Sequence, residues 1–135
     1  MKLIIIIILF SLKAFAPSED VLYIYPGEPI TPFEDIWKAV CTVESNHDPF
    51  AIGDKHLDEW SYGIAQIRQI RLDDYNDRTN SNLQIVDCFD PDISKRVFMY
   101  YAQVIGPYDK DLIVRRWNGS GSKTYEYLAK VNGTK

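Results

Sequence analysis

Among the 135 residues of the chain, Glu44 is the side chain best placed to move a proton. Phe33, Trp37, Val40 and Glu44 fall at i, i+4, i+7 and i+11, which lines them along one helical face and ends an apolar stripe on a carboxyl. A carboxyl held against apolar and aromatic groups has a raised pKa, because burial disfavours its charged form. Such a group stays protonated near neutral pH and can donate to a leaving oxygen, the chemistry that cleaving a glycosidic bond requires. The plain alternative is a solvated glutamate near a helix end. Metal chemistry is not expected, since Cys41, Cys88, His47 and His56 lack the spacing of a ligand set.

The helix carrying Glu44 is expected to open at Thr31-Pro32-Phe33-Glu34, with Thr31 as cap, Pro32 at the first helical position and Glu34 completing a capping box. Residues 46–62 hold Asn46, Asp48, Pro49, Gly53, Asp54 and Asp58, and predict a long loop or a small hairpin beside Glu44. Loops of that length in compact domains tend to carry function. A second helix is expected over about Arg68 to Tyr75. Asp90 caps and Pro91 opens the next, with Ile93, Val97, Tyr100 and Val104 at helical spacing until Gly106-Pro107 stops it. Asp109 begins a helix through Leu112, Ile113 and Trp117 that ends at Asn118-Gly119. Ser122 can cap a last helix bearing Tyr125, Leu128 and Val131. The prediction is one mainly helical domain over residues 31–135.

Five short segments then line up in order. Glu44-Ser45 precedes Asp48-Pro49-Phe50-Ala51, and Ser61-Tyr62-Gly63-Ile64-Ala65-Gln66-Ile67 follows. Phe89-Asp90-Pro91-Asp92-Ile93 opens a helix, Trp117-Asn118-Gly119-Ser120-Gly121 closes one, and Tyr125 to Val131 forms the end. Across about residues 33–131 this set resembles the SLT domain of the bacterial lytic transglycosylases, with its catalytic Glu-Ser, its Gly-Leu-Met-Gln-Ile and its Tyr-Asn-x-Gly segments. The resemblance implies an α+β, lysozyme-like fold and a peptidoglycan-cleaving enzyme with no metal or organic cofactor. In that family pattern Glu44 is the sole general acid and base. Ser45 hydrogen-bonds at the catalytic centre, Gln66 and the backbone of Gly63, Ile64 and Ala65 hold sugar, and Trp117 and Asn118 line the cleft.

The departures from the family pattern are chemical. Ile64-Ala65 stands where Leu-Met is usual, and Trp117 stands where Tyr is usual, removing a hydroxyl near the acid. Asp54, Asp58 and Glu59 are candidates for a second carboxylate, which would direct water and make the protein a hydrolysing lysozyme. A third reading is a catalytically weak glycan-binding or assembly protein, because fold does not guarantee activity.

The setting follows from the remaining composition. Met1-Lys2, an apolar run from Leu3 to Phe10 and Ala14-Phe15-Ala16 describe a secretory signal over residues 1–16, too short for a comfortable membrane span. Export to the periplasm or the exterior is expected, with an uncleaved membrane anchor as the alternative, because Pro17 is a poor residue after a cut. Residues 17–30, with Pro17, Pro26, Gly27 and Pro29, read as a linker or extended arm. In an exported chain Cys41 and Cys88 can form one disulfide, or remain two buried thiols. The net charge is −4 and becomes −6 if Lys2 and Lys13 leave with the signal. Without a basic block, nucleic acid is not an expected partner. The expected partner is the peptidoglycan glycan strand, met by a monomer with no membrane span after processing.

Overall fold

A computed structural model describes residues 31–134 of the chain, so the signal and arm assigned to residues 1–16 and 17–30 lie outside the described residues. The fold is mainly helical with a small sheet. Its elements are α1 (Glu34–Ser45), β1 (Ile52–Gly53), β2 (Ser61–Tyr62), β3 (Ile67–Arg68), α2 (Gln69–Thr79), a 3-10 turn (Ile85–Phe89), α3 (Pro91–Ile105), α4 (Lys110–Asn118) and α5 (Lys123–Asn132). The three strands form an antiparallel meander in the order β1-β2-β3, pairing Ile52 with Tyr62 and Tyr62 with Ile67. The long loop after Glu44 is therefore sheet in part, as the hairpin reading expected. No helix among the described residues is long and apolar enough to cross a membrane.

The core gathers around α1. Ile36, Trp37, Val40 and Cys41 are buried there against Val97 and Phe98 of α3, Val114 and Trp117 of α4, and Tyr127 and Val131 of α5. Trp37 and Phe98 rings lie 5.3 Å apart and Phe98 and Trp117 rings 5.1 Å apart, tilted as aromatic quadrupoles favour. α1 opens later than expected. Phe33 holds the cap position with no side-chain hydrogen bond, while Thr31 contributes only its carbonyl, accepting the Glu34 N–H at 3.2 Å. The Glu34 carboxylate, free of any box, pairs with Lys95 of α3 at 2.7 Å.

α3 behaves as its sequence suggests at both ends. Asp90 accepts the Asp92 N–H, Pro91 fills the first turn, and Gly106 ends the helix. Its buried face is a different one: Ser94, Val97, Phe98 and Ala102 point inward, whereas Val104 is 64% exposed. Asp109 caps α4 through the Leu112 N–H at 2.8 Å. Ser122 makes no side-chain cap to α5, and the Thr124 hydroxyl bonds the Gly121 carbonyl instead. Cys41 and Cys88 are both free and buried. Burial pushes each thiol up to about 12, with the Glu44 charge adding to the effect at Cys41, which leaves both as inert core groups.

Candidate active site

Glu44 sits in the last turn of α1, where Asn46 and His47 take left-handed backbone conformations and end the helix. As the last position of the α1 stripe, beyond the buried Phe33, Trp37 and Val40, its side chain lines a cleft of about 480 Å³. Asp54, Gln66, Arg68, Arg71, Trp117 and Asn118 share that cleft. Burial pushes the Glu44 carboxyl up to about 7, against a hydrogen bond from Tyr127 and the charges of Arg71 and Arg68 that pull it down. Near neutral pH the group therefore holds its proton part of the time and can give it up. That is the balance a general acid and base needs.

Tyr127 is one of two site residues that the sequence alone did not single out. Its hydroxyl donates to Glu44 Oε1 at 2.6 Å, and burial together with the carboxylate raises its own pKa, so it stays a donor. A hydroxyl beside the acid is thus present although Trp117 lacks one. The signal available was a second helical stripe in α5, Thr124-Tyr127-Val131, which is buried, whereas Tyr125 of the expected stripe is 59% exposed. Because the Tyr127 bond favours the carboxylate, its loss should raise the Glu44 pKa further. We expect a carbon-13 NMR titration of the Glu44 carboxyl in Tyr127→Phe to move upward from the wild-type midpoint. An unchanged or lower midpoint would refute this role.

Arg71 was also missed. Its guanidinium donates to the Trp117 carbonyl at 2.9 Å and the Arg116 carbonyl at 3.2 Å, closing the end of α4. It also stacks on the Trp117 ring at 4.5 Å and on Tyr101 at 5.1 Å. A fixed cation thereby forms one wall of the cleft.

The other expected site residues divide between wall and scaffold. Ser45 does not line the cleft; its hydroxyl donates to the Ile64 carbonyl at 2.8 Å and ties α1 to the β2–β3 turn. Gly63 and Ala65 are buried and, like Ile64, lie outside the cleft lining. A Cβ on Gly63, whose φ is +75°, would lie 1.9 Å from the Cys88 carbonyl oxygen, so the glycine serves a close backbone approach. The Ala65 carbonyl accepts the Trp117 indole N–H at 3.3 Å. Gln66 reaches the cleft, but its amide is spent on the fold. It accepts from the Ser61 hydroxyl at 2.7 Å and donates to the carbonyls of Gly63 at 2.9 Å and Ala51 at 3.3 Å. Trp117 is buried in the core and also lines the cleft, and Asn118, in the same lining, is exposed.

Of the three candidate second carboxylates only Asp54 shares the cleft. Burial pushes its carboxyl up, but the Arg68 guanidinium, bonded at 2.9 Å, outweighs this and holds it below the usual carboxylate range. Asp58 and Glu59 line a separate hollow with Trp60 and Tyr62, and the Glu59 carboxylate accepts the Ile70 N–H at the start of α2. Asp48 bonds its own turn, accepting the Phe50 N–H at 2.9 Å. Among the described residues no group of three or more His, Cys, Asp or Glu is placed to hold a metal ion.

Compared with known proteins, the chain matches no family model, no curated protein and no solved structure.

Proposed function

We propose that this protein is an exported peptidoglycan lytic transglycosylase of the lysozyme-like type, cutting the β-1,4 bond between N-acetylmuramic acid and N-acetylglucosamine. The observation that carries the reading is a single glutamic acid, raised to about 7, in a cleft that also holds two aspartates with lowered pKa, Asp54 and Asp74, two arginines and the aromatic residues Tyr101 and Trp117. The ordered segments that resemble the SLT domain supply the substrate class. Glu44 protonates the bridging oxygen as the glycosidic bond breaks, and the substrate's N-acetyl oxygen stabilises the positive charge at the anomeric carbon. The Glu44 carboxylate then takes the proton of the muramyl 6-hydroxyl. That oxygen attacks the anomeric carbon, closing a 1,6-anhydro ring without water.

Asp54 favours a second reading, hydrolysis. An ionised aspartate facing a protonated glutamate is the pair that retaining or inverting glycosidases use. Against it, a carboxylate bonded to Arg68 and held below its usual range is a weak base for water. The muramyl hydroxyl is already tethered to the reacting carbon and has the proximity advantage. Cleavage itself is tested by release of soluble dye from dye-labelled purified peptidoglycan by residues 17–135. Steady release is expected; none from a folded, monomeric sample would overturn the enzymatic reading in favour of a binding protein.

A further inference from the structure

Between α2, α3 and α4 lies a second cavity of about 400 Å³, with Phe98, Ala102 and Ile113 as its buried apolar floor and Val104, 64% exposed, in its lining. Arg78 and Arg116 also line it, and no carboxylate does. Asp74 neutralises Arg78 at 2.8 Å, but the exposed Arg116 side chain is in no salt bridge among the described residues. The cavity therefore offers an acidic, apolar occupant one cation and an uncovered aliphatic surface.

The sequence ahead of the fold has the matching composition. Residues 17–30 carry Glu19, Asp20 and Glu28 with no Lys or Arg, and Val21-Leu22-Tyr23-Ile24-Tyr25 runs between them. A β-prone apolar run of that length is an aggregation hazard unless something covers it. The distance to cover is short. Glu34 pairs with Lys95 at 2.7 Å, so α1 starts beside the first turns of α3. Val104 is nine positions further along that helix, roughly 14 Å, and residues 26–30 can span about 17 Å. We propose that Asp20 to Tyr25 fold back onto this cavity, as a strap that belongs to the domain. In an extended segment Asp20, Leu22 and Ile24 share one side. Leu22 and Ile24 then enter the apolar floor, and Asp20 meets Arg116. Because the segment is tethered, its effective concentration is on the order of 1 mM, and an intrinsic affinity of about 0.1 mM keeps it docked about nine-tenths of the time. The inference needs neither glycan nor catalysis, so it stands or falls apart from the proposed activity.

A nitroxide on the strap tests it. In residues 17–135, Ser18→Cys offers one accessible thiol, because Cys41 and Cys88 are buried. Docking predicts selective broadening of the Val104 and Arg116 backbone NMR signals. Arg116→Glu should lower the docked-to-free ratio about tenfold, the scale of one charge-assisted hydrogen bond, and so roughly halve the broadening. Adding Asp20→Lys to that variant should restore it, which repair of a damaged fold would not explain. Leu22→Asp, which leaves residues 31–134 unaltered, should lower the broadening too. Diffuse broadening over the whole surface, or broadening untouched by these substitutions, would overturn the proposal. So would broadening that appears only when nitroxide and isotope label sit on different chains, since a second copy would then fill the cavity.

Discussion

Glu44→Gln is expected to lower the rate of wall cleavage by about 10²–10⁴-fold with the fold intact. Glutamine keeps the shape of the side chain and can still accept the Tyr127 hydroxyl, but it has no proton to give. The same substitution should also change stability, in the direction that follows from burial of the carboxyl. The Glu44 carboxyl titrates at about 7 in the folded chain against an ordinary value of 4.5. An acid raised on folding binds its proton more tightly in the folded state, so stability falls as pH climbs between those two values. The loss is complete above the folded value and amounts to roughly 3 kcal/mol. Glu44→Gln should therefore melt higher than wild type at about pH 8 and near it at about pH 4. Retention of more than about a tenth of the activity would remove Glu44 from the chemistry. A variant no more stable than wild type at the higher pH would deny the burial that tunes it.

The second large effect is on the fold. Gly63→Ala should destabilise the protein by about 2–4 kcal/mol, because an added Cβ meets a backbone atom and the positive φ disfavours any L side chain. The obstacle is the Cys88 carbonyl oxygen at 1.9 Å, which cannot easily retreat, since it accepts the buried Ser94 hydroxyl at 2.7 Å. For a domain of this size such a loss lowers the melting temperature by roughly 8 °C or more. Gly119→Ala is the control, having a positive φ but nothing within 4 Å of the added atom. A Gly63→Ala melting point within about 2 °C of wild type would show that the turn does not depend on this approach.

Helix ends marked by local chemistry were legible in the sequence: Asp90-Pro91, Gly106 and Asp109 act as their residue types dictate. So was the α1 stripe ending on Glu44, because its period is that of the helix. Legibility stopped where two stripes overlapped and only tertiary packing chose between them. In α5 the Tyr127 register won over that of Tyr125, since Tyr127 alone meets Glu44 across 83 positions of chain. In α3 the winning face contains Phe98, which wedges between Trp37 and Trp117. The segment from Ser61 to Ile67 was legible as a feature but not in its role. Gln66, Gly63 and Ser45 looked like sugar contacts, yet their hydrogen bonds and close approaches fasten the sheet to α1 and to Cys88. A motif names residues that matter without saying whether they touch substrate or hold what does. Arg71 carried no sequence signal, because its partners are backbone carbonyls of α4 and rings on two other helices.

The most direct test is the mass of the soluble fragments that residues 17–135 release from purified peptidoglycan. Glu44 acting alone on a substrate hydroxyl predicts fragments ending in 1,6-anhydromuramic acid, each lighter by one water than a hydrolysed end, and none from Glu44→Gln. Reducing-end muramic acid as the dominant product, lost on Asp54→Asn, would contradict it and make the protein a hydrolase in which Asp54 directs water.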